Sequence, residues 1–143
     1  MVDRHLVTKK LSLINEYLEF LKQNKKNISE KSVKKNFGLR MEVAYAIQTI
    51  VQACTDICTH LASDEKWELP DHSAHAFKIA LRHHVISEEV CREFQSAVKM
   101  RNVIVHQYDE LNEKILVNTV HQDLPLFDRF CDEIKKWIKS RAI

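Results

Sequence analysis

Met41-Glu42-Val43-Ala44-Tyr45-Ala46-Ile47-Gln48-Thr49-Ile50-Val51-Gln52-Ala53-Cys54-Thr55-Asp56-Ile57-Cys58-Thr59-His60-Leu61 is the stretch on which the fold turns. Val43, Ile47, Ile50, Cys54, Ile57 and Leu61 recur in it at alternating four- and three-residue steps. That spacing lines one side of a helix with 3.6 residues per turn, and the rhythm lasts about five turns. Helix formers dominate on either side, and nothing stops the segment before Ser63-Asp64. The expectation is a helix over about 30–63 whose first part bends near Asn36-Phe37-Gly38.

The same rhythm appears upstream. Val7, Leu11, Ile14, Leu18 and Leu21 draw an apolar stripe over 4–24, closed by Asn24-Lys25-Lys26-Asn27. Asn27 or Ser29 is placed to cap the next helix, and Asn27 with Glu30 has capping-box spacing. Downstream, 64–72 reads as a loop holding Trp67, Pro70 and Asp71, followed by a short helix over about 72–84. Ser87 then caps a helix with Glu88 and Glu89 in its first turn and Val90, Phe94 and Ala97 as its apolar stripe. The last helix, about 112–140, presents Leu124, Phe127, Phe130, Ile134, Trp137 and Ile138, with Pro125 expected to kink or restart it. The sum is an all-α antiparallel bundle of four main helices plus one short helix, with 1–143 forming a single domain.

Composition agrees and excludes several chemistries. One glycine and two prolines in 143 residues leave little for loops and turns. A phosphate-cradling P-loop or a dinucleotide-binding turn needs two or three glycines, so neither is built here. Net charge is +2, but Lys22, Lys25, Lys26, Lys31, Lys34, Lys35 and Arg40 face only Glu30 within one run. A solvated surface explains such a run more often than a phosphate-tracking patch does. Cys54, Cys58, Cys91 and Cys131 match no zinc or redox spacing and read as buried free thiols suited to a reducing compartment. His72 and His75 lie one turn apart without a third ligand, so no metal site and no cofactor is expected. With no secretory signal and no membrane-spanning run, the expectation is a soluble cytoplasmic protein.

One stretch is chemically specific: Arg101-Asn102-Val103-Ile104-Val105-His106-Gln107-Tyr108. Arg101 is the next step on the stripe of Val90, Phe94 and Ala97, and an unpaired charge on a buried seam is costly. It is also the one arginine of seven with a histidine five places on and a tyrosine seven on. Composition alone makes that coincidence at a frequency of about 0.01. The bland explanation is the polar end of a bundle helix, with Arg101 paired to an acid on a neighbour. In a straight helix His106 points about 140° away from Arg101. Either the helix unwinds near His106 or a site is composed from two copies of the chain.

The R-x4-H-x-Y pattern at the end of a late helix resembles the active-site signature of HEPN-domain ribonucleases, specifically the HepT toxins of HepT–MntA toxin–antitoxin pairs. The resemblance spans the chain in length and helix order, and its specific part is the eight-residue motif. It implies a homodimer whose motifs face each other across a two-fold cleft, and a metal-independent endoribonuclease acting on RNA. His106 would move the 2′-hydroxyl proton, a task suited to a group titrating near neutrality. Arg101 would bind the phosphate and the transition state, with Asn102 orienting the site. Tyr108 would be the AMP acceptor for a cognate MntA-type nucleotidyltransferase antitoxin, blocking RNA by volume and charge. The alternative is a non-catalytic HEPN docking or substrate-binding partner of a nucleotidyltransferase. A di-iron bundle needs inward Glu-x-x-His pairs, and the sequence has none.

Overall fold

The computed structural model describes residues 3–106 and 113–141, and among these every regular element is helical. The order is α1 (Arg4–Asn24), α2 (Glu30–Lys35), α3 (Phe37–Asp64), α4 (Ser73–Arg82), α5 (Glu88–His106), α6 (Glu113–Asn118) and α7 (Leu124–Ser140). A short 3₁₀ turn, Lys25–Asn27, joins α1 to α2, and a π-helical turn, Thr119–Asp123, joins α6 to α7.

The long second helix is in fact two. Asn36 adopts an extended conformation (φ −115°, ψ 100°), and its side chain accepts from the Leu39 amide at 3.0 Å. It therefore closes α2 and opens α3, because a side-chain cap competes with continuation of the backbone ladder. Gly38 lies inside the first turn of α3 and is not the break. The cap of α2 is Ser29 in a reciprocal box with Ser32, so the expected Asn27–Glu30 box is not formed. Ser87 caps α5 as expected, accepting from the Val90 amide at 3.2 Å. Pro125 disturbs the last helix as expected, and the form of the disturbance is the π turn just before it. A proline cannot donate to the carbonyl four residues back and its ring crowds that carbonyl, so a locally wider turn relieves both.

The bundle is antiparallel where the pairing is traceable. Asp3, Lys10 and Tyr17 of the α1 strip meet Asp64, Asp56 and Tyr45 of α3 in reverse order. Ser87 and Glu89 likewise meet Glu133 and Arg129 of α7 in reverse order. The core stripe of α3 is wholly buried, with Val43, Ile47, Ile50 and Cys54 at 0 % exposure. Phe94 of α5 stacks on Phe77 of α4 at 4.4 Å and touches Phe127 and Phe130 of α7 at 5.9 and 5.2 Å. Aromatic pairs of this kind add roughly 0.5–1.5 kcal/mol each beyond their burial. They fix the middle of α5, and with it the direction in which the helix carries Arg101.

Candidate functional site

Arg101 is half-buried near the C-terminal end of α5. Its guanidinium donates to Asn102 Oδ1 at 2.7 Å through Nη1 and to Gln52 Oε1 of α3 through Nη2. Nε is buried with no partner among the described residues. No ion pair to Arg101 exists among the described residues either, so the acid that a purely structural arginine calls for is not what holds it. Both oxygens that grip it belong to neutral amides.

The grip continues through α3. Gln52 donates through Nε2 to Asp56 Oδ1 at 2.8 Å, and the other carboxylate oxygen of Asp56 meets Lys10 Nζ of α1 at 3.1 Å. The carboxylate of Asp56 orients the amide, while Lys10 balances its charge. Arg101 is thus held in place with its positive charge paired to no acid among the described residues. Such an arginine is prepared for an oxyanion, because two phosphate oxygens match the fork of guanidinium donors.

Sequence reasoning missed Gln52 and Asp56, which lie about fifty residues upstream. The one signal they offered was a polar pair at i, i+4 on the central helix. Asn102 is exposed beside Arg101 and makes the contact expected of an orienting residue. His106 is the last residue of α5, so the helix does not unwind before it. Tyr108 and the side chain of His106 lie outside the described residues.

His72 and His75, considered above as a metal pair, are used as local caps. His72 Nδ1 accepts from the His75 amide at 3.2 Å, and His75 Nδ1 accepts from the Asp71 amide at 3.0 Å. All four cysteines are free and buried. Burial, with neighbouring thiols adding to it, pushes the Cys54 thiol well up, and burial likewise raises Cys58 and lifts Cys131 to about 11. None of them is a nucleophile at neutral pH.

Beside Arg101 on α5, a cleft of about 380 Å³ opens toward α6 and the π turn, between Met100, Ser96 and Glu93 on one wall and Ile115, Thr119 and Asp123 on the other. Burial, then the charge of Glu93, raises the Asp123 carboxyl above its ordinary value. Of the two carboxylates in the cleft, Glu93 is paired with Arg129 of α7. No described helix is long and apolar enough to cross a membrane.

Comparison with known proteins shows the family and the fold. The family described as Ribonuclease HepT-like matches residues 14–134. The mRNA nuclease HepT of Shewanella oneidensis is 31% identical over 102 residues, 71% of this chain and 77% of that protein. The tRNA nuclease HepT of Aphanizomenon flos-aquae is 26% identical over 131 residues, 90% of this chain and 88% of that one. Among solved structures, a tri-AMPylated HEPN toxin of Shewanella oneidensis in complex with MNT antitoxin superposes with a TM-score of 0.83 at 28% identity. That match covers 95% of this chain and 99% of the toxin.

Proposed function

This chain belongs to the HepT-like ribonuclease family, and on that premise we propose that it is a cytoplasmic toxin that cuts RNA without metal and is silenced by a nucleotidyltransferase antitoxin. The observation that carries the reading is the guanidinium of Arg101, fixed by Gln52 and Asn102 yet unpaired with any described acid.

In the proposed step His106 takes the proton of a ribose 2′-hydroxyl. The 2′-oxygen attacks the adjacent phosphorus, the bond to the 5′-oxygen breaks, and that oxygen takes its proton from water. The products are a 2′,3′-cyclic phosphate and a 5′-hydroxyl end. Arg101 holds the charge that gathers on the phosphorane oxygens, and Asn102 aims Arg101. A fixed donor of this kind is worth about 10²–10³ in rate.

On a regular helix, positions five residues apart such as 101 and 106 lie about 140° from each other around the axis. A two-fold pair of chains resolves this, one copy's arginine working with the other's histidine, and we assign the active form as a homodimer. Tyr108, two residues past His106, is then the acceptor for AMP from an MntA-type antitoxin. The adduct places bulk and negative charge where RNA phosphates must bind.

The test is induced expression of wild type beside His106→Ala, with RNA from both resolved on a gel and cleavage repeated in EDTA. Growth arrest with RNA fragments from wild type alone, persisting in chelator, is the expected result. Equal harmlessness of two well-expressed proteins would remove the nuclease reading and leave a docking partner. Intact mass after co-expression with a nucleotidyltransferase reads Tyr108: one AMP gained by wild type and none by Tyr108→Phe.

A further inference from the structure

The basic run of the sequence has a definite place in the fold. Helix α2 buries Val33, and Lys31, Lys34 and Lys35 fall within an arc of about 100° on its opposite side. All three are exposed, and none forms an ion pair with a described residue. One exposed acid, Glu30, lies among them.

Immediately after α2, Phe37 is 66% exposed at the N-terminal end of α3, a 28-residue helix whose dipole adds positive potential there. The Arg40 guanidinium lies 5.3 Å from the centre of the Phe37 ring, which leaves the ring's outer face open. An exposed aromatic ring backed by a guanidinium and flanked by lysines has the make-up of a platform on which bases stack while phosphates are neutralised.

The platform is mounted firmly and is tied to the motif helix through the π turn. Ile28 and Val33 anchor it in the core, and the Ser29–Ser32 box and the Asn36 cap fix both ends of α2. The π turn links it to the motif helix: Thr119 Oγ1 contacts Met100 Sδ at 2.9 Å, next to Arg101, and His121 Nε2 bonds the Ile28 carbonyl at 2.7 Å. Along α3, Arg40 and Gln52 are separated by about 18 Å of helix rise. Glu113, where the described chain resumes after the motif, bonds Arg40 at 3.4 Å.

We propose that Lys31, Lys34, Lys35, Phe37 and Arg40 form a binding surface for single-stranded RNA that extends the cleavage site by several nucleotides. The proposal rests on the ribonuclease reading above. The lysines track phosphates, and the Phe37 ring takes a base without reading its identity.

The test uses the full-length chain carrying His106→Ala, so that RNA survives, with a fluorescein-labelled single-stranded RNA of mixed sequence followed by anisotropy across KCl concentrations. Replacing Lys31, Lys34 and Lys35 by Gln is expected to weaken binding at least tenfold near physiological salt. It should also flatten the slope of log affinity against log salt by roughly two, at about 0.7 per phosphate lost. Phe37→Ala is expected to weaken binding by roughly 5- to 100-fold and to leave the slope alone. Unchanged affinity and slope in variants that melt at the wild-type temperature overturn the proposal while leaving the nuclease intact. Intact RNA binding with lost binding of a co-expressed nucleotidyltransferase also overturns it, making the surface a protein dock. If His106→Ala binds no RNA and wild type cuts none, the ribonuclease reading falls and this surface with it.

Discussion

At the scale of single residues, what distinguishes Arg101 is the neutrality of the groups that hold it. A structural arginine on a bundle seam pairs with a carboxylate, whereas Gln52 and Asn102 offer amide oxygens and leave the charge in place. Two substitutions separate positioning from charge. Gln52→Ala removes the grip but not the cation, and kcat is expected to fall about tenfold, as for a misplaced catalytic group, with KM little changed. Gln52→Glu keeps the shape and supplies a carboxylate that neutralises Arg101, so RNA affinity should drop as well and KM should rise. Equal kinetics for both variants and wild type would mean that the Gln52 contact plays no part in positioning Arg101 for cleavage. Arg101→Lys tests the fork geometry, since lysine keeps the charge and loses bidentate binding. Its kcat/KM is expected at least tenfold below wild type. The pattern of Arg101, Asn102, His106 and Tyr108 stood out because its members sit within eight residues, and of its contacts the described residues hold the one between Arg101 and Asn102. Gln52 and Asp56 did not stand out, because their role exists only once α3 lies against α5 and α1. Periodicity reports which side of a helix is apolar and is silent on which polar residue of another helix meets it.

Among the elements, the informative one is the break at Asn36. Apolar periodicity over 43–61 located α3, and a bend was foreseen near Asn36-Phe37-Gly38, but the apolar pattern has no way to tell a bend from a termination. The difference lies in one side chain that closes the capping bond to the Leu39 amide. Its removal should be measurable. Asn36→Ala leaves that amide uncapped, at a cost of about 1 kcal/mol, which for a domain of this size lowers the melting temperature by roughly 3–6 °C. Asn36→Asp retains the acceptor and adds a charge favourable to the α3 dipole, so it should melt at or above the wild-type temperature. A thermal scan of the three proteins checks both signs. Melting of Asn36→Ala at the wild-type temperature would show that the cap contributes nothing. The π turn at Thr119–Asp123 was legible only as a disturbance from Pro125. Its register depends on the contacts of Thr119 with Met100 and of His121 with Ile28, which sequence spacing does not carry.

For the molecule as a whole, the all-α class was already implied by one glycine, two prolines and an unbroken four-three rhythm. The rhythm of α3 placed Cys54 inside, all four cysteines are buried, and their burial has a consequence for the entire fold. In an unfolded chain each thiol loses its proton near pH 9, the ordinary value for cysteine. In the fold, burial keeps Cys54, Cys58 and Cys131 protonated to higher pH, in the case of Cys131 to about 11. Over that interval the unfolded state binds fewer protons than the native one, so stability falls as pH rises; below pH 9 the contribution of these thiols is fully present. The slope is about 1.4 kcal/mol per pH unit for each thiol that ionises only on unfolding. Urea unfolding of the reduced protein at pH 8, 9 and 10 should show the midpoint holding and then dropping. Tyrosines and lysines titrate in the same range, so the decisive comparison is with Cys58→Ala. That variant is less stable throughout because it leaves a cavity where the sulfur packed. Above pH 9, however, its stability should decline less steeply than wild type, by one thiol's share. Parallel pH dependence of the two proteins would mean that Cys58 ionises as freely in the fold as out of it, which its complete burial against the α3 seam does not permit.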